Sequence, residues 1–163
     1  MPTDLCIRDF EPRDLEAVQA LNMHATEPDA DIAASLRHYP DLLNIPASFQ
    51  KDGAFLVGAV RDELVAMGSI QPGEARAFEV NYIRVAIPYH RHGFGRALMF
   101  ALEQRAMGLG ATAMFLDTTP QQVPAQRLYE SIGYQESHRS VVHNIDGARF
   151  DVIHYRKELP GKN

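Results

Sequence analysis

Cysteine is nearly absent. Cys6 is the only one, so no disulfide can form within the chain. The fold must then be held by its core, and a lone thiol fits a reducing compartment. Long apolar runs are lacking too: the longest, Ala54 to Val60, is far too short to cross a bilayer. The stretch Met1 to Phe10 carries Asp4, Arg8 and Asp9 and has no apolar core of signal-peptide length. The expectation is a cytoplasmic protein with no membrane partner. An excess of positive charge is also missing. Lys and Arg number 16 against 21 Asp and Glu, a formal net charge of -5. Phosphate neutralisation supplies most of the affinity of a nucleic-acid binder and needs a basic stripe, so no nucleic-acid partner is expected. A mildly acidic chain suits a cationic substrate such as an amine. Repeats, low-complexity tracts and linkers are absent. A length of 163 residues therefore fits one domain, residues 1–163. Such a chain can bury roughly 70% of its unfolded surface.

What is present is a succession of short strands and amphipathic helices. Leu5 to Arg8 reads as a strand. Cys6 on it is expected to be a buried small residue, not a nucleophile. Asp14 is placed to N-cap a helix with Leu15, Val18, Ala20 and Leu21 at its apolar positions. After a Thr26–Asp31 loop containing Pro28, a second helix is expected from near Asp31. It would carry Ile32, Leu36, Leu42 and Leu43, with Pro40 as a breaker. Ala54–Val60, Leu64–Gln71 and Ala77–Ala86 are strands joined by short turns, an antiparallel meander. Alternation in the third puts Phe78, Val80, Tyr82 and Arg84 on one face and Glu79, Asn81, Ile83 and Val85 on the other.

The spacing then turns helical. Phe94, Ala97, Leu98, Ala101, Leu102, Ala106 and Leu109 share a face, and Gly110 stands where a C-cap belongs. Thr112–Thr118 is a strand and Pro124–Ile132 a helix closed by Gly133. Tyr134–His143 and Phe150–Lys157 are strands with a turn at Asn144–Gly147. This order implies an α+β or α/β sheet covered by helices on both faces.

The stretch Ile87-Pro88-Tyr89-His90-Arg91-His92-Gly93-Phe94-Gly95-Arg96 follows a strand and opens a helix. Glycine allows close approach of a ligand to the backbone. The first N–H groups of a helix lack internal partners and sit at its positive end, which makes an anion site. The Gly-Lys-Ser/Thr ending of a P-loop is missing, as is the third glycine of a dinucleotide fingerprint. The preceding strand belongs to a meander and not to a βαβ unit, which argues against a dinucleotide fold.

Later in the chain stands Ala125-Gln126-Arg127-Leu128-Tyr129-Glu130-Ser131-Ile132-Gly133-Tyr134. Together the two stretches resemble the GNAT N-acetyltransferase superfamily. There the loop reads Gln/Arg-x-x-Gly-x-Gly/Ala and the later motif Ala-x-x-Leu-Tyr-x-x-x-Gly-Phe/Tyr. The match is strongest over Glu79 to Tyr134. The resemblance implies a mostly antiparallel sheet of six to seven strands, splayed between the fourth and fifth, with helices on both faces. It implies acetyl-CoA as acyl donor, no metal, a small-molecule or peptide amine as acceptor, and a homodimer.

Carried over by position, the backbone from Arg91 through His92, Gly93, Phe94 and Gly95 to Arg96 would hold the CoA diphosphate. Ile83, Arg84 and Val85 would pair their backbone with the pantetheine arm, and an amide near Val85 would polarise the thioester carbonyl. His90 replaces the usual Gln/Arg, and Gln122 stands three residues before Ala125 where asparagine is common; both are expected to line the cofactor. Tyr129 matches the family tyrosine that protonates the leaving thiolate. Glu79 matches a glutamate that serves several members as general base, and Asn81 on its face could orient substrate. Seven histidines invite a metal reading, but Arg91 between His90 and His92 repels a cation. His24 and His38 lie in the region that helps line the family's acceptor pocket. A second reading is a catalytically silent acyl-CoA sensor or interaction module; a third, a nucleotide-binding regulatory domain.

Overall fold

The computed structural model describes residues 4–27, 29–143 and 145–160. Met1, Pro28 of the first expected loop and Asn144 of the last expected turn lie outside the described residues. Chain order is β1 (Leu5–Asp9), α1 (Leu15–His24), α2 (Ile32–Ser35), β2 (Ala54–Val60), β3 (Glu63–Pro72), β4 (Ala77–Val85), α3 (Phe94–Gly108), β5 (Ala113–Thr118), α4 (Val123–Ser131), β6 (Gln135–His143) and β7 (Arg149–Glu158). The strands form one sheet in the order β1-β2-β3-β4-β5-β7-β6. Every neighbouring pair is antiparallel except β4 with β5. This is the mixed α+β sheet that the sequence implies, with seven strands.

The sheet is buried on two faces, and β2 shows why its sequence is apolar throughout. Ala54 and Leu56 join the cluster under α3 and α4, while Phe55 and Val57 join the one under α1. Helix α3 buries Phe94, Leu98, Met99, Leu102, Glu103 and Ala106. Leu109, expected on that face, is 46% exposed. It lies past the last turn, where Gly110 adopts a φ of 93° and swings the chain away.

Three further expectations are corrected near the amino end. Asp14 does not cap α1 through its side chain. Its carboxylate instead accepts from Arg8 Nη1 (2.7 Å) and Nη2 (2.9 Å) and from the Glu11 amide (2.8 Å), tying β1 to the turn before α1. The second helix is only Ile32–Ser35, capped by Asp31, which accepts from the Ala34 amide (3.2 Å). Short helical turns at Leu36–His38, Pro40–Leu43 and Pro46–Gln50 replace the rest, because each proline removes a helix donor. Cys6 is exposed, since β1 is an edge strand and only Leu5 and Ile7 turn inward.

One polar cluster lies within the core. Glu103 accepts from Lys157 Nζ with both oxygens (3.1 Å each) and from the Tyr134 hydroxyl (3.2 Å). Glu103 is 8% exposed, so removing its cation leaves a desolvated carboxylate. Lys157→Met is expected to lower stability by about 2–3 kcal/mol, measured as a shift in the urea midpoint. A loss below about 0.5 kcal/mol would show that water reaches Glu103 freely.

Candidate active site

Strands β4 and β5 pair only at Ala77–Ala113, Phe78–Met114 and Glu79–Phe115. Beyond Glu79 they diverge, and a cleft of about 970 Å³ opens between them. The divergence follows a bulge in β4. Met67 pairs with Arg84 but Ser69 pairs with Asn81, so β4 carries an extra residue, and Tyr82 adopts a φ of 61°. A bulge bends and twists the strand that holds it.

The bulge also reverses the side-chain pattern. Ile83 and Val85 pack with Phe78 and Val80 against the cluster under α3 and α4. Tyr82 and Ala86 pack on the α1 side. Glu79 therefore does not share a face with Ile83 and Val85, as strict alternation implies. It stands at the fork's base, and it lines the cleft there. The Asn81 amide donates to its carboxylate.

Backbone groups alternate in direction along a strand. The Ala86 amide donates to Val65 O (2.8 Å) and Arg84 sits opposite Met67, so Ile83 and Val85 turn theirs into the fork. Their carbonyls already accept from within the chain: Ile83 O from Arg84 Nη1 (3.0 Å) and Val85 O from His90 Nε2 (2.6 Å). Donors at this edge are thus more open to a ligand than acceptors.

At the fork's mouth the chain turns through Arg91 (φ 66°) and Gly93 (φ 79°), both left-handed. Glycine tolerates that conformation without cost, whereas Arg91 adopts it at a cost of about 1 kcal/mol. Gly93 starts α3 with no side-chain cap. The first intrahelical bond shown runs from the Ala97 amide to Gly93 O (3.1 Å), so the amides of Phe94, Gly95 and Arg96 precede the ladder. These donors face a cleft also lined by Arg91 and Arg96, an arrangement suited to a diphosphate.

Tyr129 closes the fork from α4. It is 7% exposed, lines the cleft, and rests its ring on Tyr134 and Tyr155 at 6.1 and 6.2 Å. Burial pushes its phenol up to about 12, with nearby Arg84 opposing the shift.

A model of the Acetyltransferase (GNAT) family matches residues 15–134. The chain belongs to the GNAT acetyltransferase family. Its fold is that of solved GNAT proteins. An acetyltransferase of the GNAT family from Staphylococcus aureus Mu50 superposes with a TM-score of 0.80 at 16% identity, covering 96% of this chain and 99% of that one. The ribosomal-protein-S18-alanine N-acetyltransferase of Escherichia coli gives 0.74 at 21% identity over 98% and 97%. The yncA protein of Salmonella typhimurium, solved with its cofactor acetyl-CoA, gives 0.71 at 18% identity over 98% and 96%. Comparison with curated protein sequences gives no match.

With the GNAT frame in place, the residues singled out in the sequence can be located. Glu79, Ile83, Arg84, Val85, His90, Arg91, Gly93, Phe94, Gly95, Arg96, Gln122, Ala125 and Tyr129 all line the cleft. His92 is not among its lining residues. After Arg91's left-handed turn its ring lies outside, near Tyr89 and Phe94 (6.3 and 6.0 Å), and its Nδ1 donates to His90 O (2.9 Å). Gln122 is held by the Thr118 hydroxyl, which donates to its Oε1 at 2.6 Å. Arg96 donates to the Ser131 hydroxyl (3.0 Å), joining α3 to α4. His24 bonds Ala30 O (3.2 Å), His38 sits 3.4 Å from Asp146, and neither lines the cleft. Among the described residues, no group of His, Cys, Asp and Glu could hold a metal ion, and no helix is long and apolar enough to cross a membrane.

The cleft's other end draws on the helical region that the resemblance assigns to the acceptor pocket, through residues other than His24 and His38. Tyr39, Asp41 and Tyr82 line it on the α1 side, with the Arg84 side chain beside them. Burial pushes Tyr82 up to about 12, and Asp41 and Glu79 add to the shift. Burial lowers Arg84. The bulge that turns Tyr82 and Arg84 to this side carries neither glycine nor proline on β4; its one mark in the sequence is Gly68 on the facing strand, where a Cβ would meet Ile83.

Proposed function

We propose that the protein, as a single domain, transfers an acetyl group from acetyl-CoA to a primary amine of a small molecule or peptide, by direct attack in a ternary complex. The observation that carries this reading is the set of open α3 amides at the mouth of a fork whose interior holds a buried tyrosine.

The amides of Phe94, Gly95 and Arg96, with Arg91 and Arg96, hold the diphosphate end. The β4 edge at Ile83 and Val85 steers the pantetheine arm into the fork. An acetyl thioester supplies an electrophilic carbonyl, and the Val85 amide donates to its oxygen as charge develops there. Glu79, at the base of the fork and held by Asn81, takes a proton from the acceptor ammonium, directly or through water, and frees the amine lone pair to attack the thioester carbonyl. Tyr129 donates to the departing sulfur. One structural neighbour is named an N-acetyltransferase of a ribosomal-protein alanine, and an amine is the acceptor class proposed here too.

The test is free-thiol release from acetyl-CoA across a broad amine panel. Release that depends on the added amine is expected. Tight CoA binding with no release on any amine would favour a silent acyl-CoA sensor. Binding of Mg-ATP with none of CoA would favour a nucleotide-binding regulator.

A further inference from the structure

The cleft has two ends of different character. The end at α3 presents backbone amides and two arginines. The end at α1 presents Tyr39, Tyr82, Asp41 and Glu79, with one cation, Arg84, among them. Arg84 is half-buried and forms no ion pair among the described residues. Its Nε donates to the main-chain carbonyl of Asn22 (3.0 Å) and its Nη1 to Ile83 O (3.0 Å). Both acceptors are neutral, so neither of these bonds neutralises the guanidinium. Nη2, and one N–H of Nη1, remain open to a further acceptor.

A second anomaly adjoins it. Asn22, whose carbonyl holds Arg84, is 2% exposed, and neither Oδ1 nor Nδ2 of its side chain has a partner among the described residues. Buried polar groups are normally satisfied, and exceptions mark places where water, an ion or a ligand completes the set. Among the described residues, a half-buried cation without an ion pair and a buried carboxamide without a partner thus share one seam between α1 and β4.

Resting on the acetyltransferase reading above, we infer that this end of the cleft binds an acceptor carrying a carboxylate beside its amine, an α-amino acid or a close analogue, with Arg84 as the carboxylate-binding specificity residue. The open N–H groups of Nη1 and Nη2 form the fork that a carboxylate engages bidentately. Arg84 directly precedes Val85, whose amide faces the reacting carbonyl, so a carboxylate held there brings an amine one or two bonds away to the thioester. Asp41 and Glu79, on the same wall, face the ammonium.

The experiment compares α-amino acids with their carboxamides and their decarboxylated amines, by acetyl-CoA thiol release. The carboxamide has the less basic amine and is easier to deprotonate, which biases the comparison against the inference. For the best amino acid, kcat/KM is expected to exceed that of its carboxamide by at least about 30-fold. In Arg84→Met this ratio is expected to collapse toward about one, chiefly through KM, and Arg84→Lys should lie between, because a point charge replaces a fork. Circular dichroism and the CoA-induced rise in melting temperature check that each variant is folded. A second readout does not need turnover: isothermal titration of N-acetyl amino acids and their amides into the CoA-loaded protein. Binding of the acids alone, lost in Arg84→Met, supports the inference. Equal use or equal binding of acid and amide, the same ratio in Arg84→Met, or no binding of any acid at millimolar concentration would overturn it. Amines that release thiol without any carboxylate preference sink this inference and leave the acetyltransferase reading intact.

Discussion

Replacing Tyr129 with phenylalanine is expected to lower kcat by about 10²-fold or more while changing the affinity for CoA by less than about 3-fold. The ring keeps its contacts with Tyr134 and Tyr155, so packing is preserved and only the hydroxyl is lost. Burial holds the phenol near 12, above its ordinary value of about 10. The group is therefore protonated throughout any practical assay range, and its own ionisation gives no alkaline fall in rate below about pH 11. A buried phenol of this strength is a reluctant acid. The same desolvation also raises the basicity of a thiolate departing into the cleft, so donor and acceptor shift together. Single-turnover rates and CoA titrations on the two proteins decide the matter. A variant that keeps more than half of kcat would remove Tyr129 from the chemistry.

Gly95→Glu is expected to weaken CoA binding by about 100-fold or more in a folded protein. A Cβ built on Gly95 points at Leu128 Cδ2 at 3.0 Å, not into the phosphate cradle. Glycine serves here to bring α3 against α4, and a longer side chain drives a wedge between the two helices that frame the mouth of the fork. The added carboxylate also places negative charge beside a site built for an anion. Acidic residues near a helix start are otherwise favourable, so gross unfolding is not expected. Gly95→Ala is the control: only the flexible tip of Leu128 must move, and affinity should stay within about 3-fold. CoA titration with thermal melts of both variants provides the check. Normal CoA affinity in Gly95→Glu would mean that the diphosphate is held elsewhere.

Much of this was legible in the chain. The apolar run Ala54–Val60 read as a strand of a meander, and the structure covers it on both faces from Ala54 to Gly58. The loop from His90 to Arg96 required a strand-to-helix turn with free amides, because glycines at 93 and 95 sit where a helix starts. The pairing of that loop with the Leu128-Tyr129 motif marked the family. The acceptor end was not legible. Its residues come from separate segments, Tyr39 and Asp41 from one turn and Tyr82 and Arg84 from a strand, and no spacing along the chain relates them.

The sequence by itself determined which segments are strands, that three of them form a meander, and which helix start is open to an anion, since these follow from local alternation, short turns and missing helix donors. Only the tertiary structure decided which side chains meet in the cleft. The extra residue at Tyr82 is imposed by the pairing of β4 with β3, and it reverses the facing of everything after it in the strand. That one shift moved Glu79 off the face of Ile83, turned Arg84 toward α1, and left its charge beside Asn22 with no ion pair among the described residues.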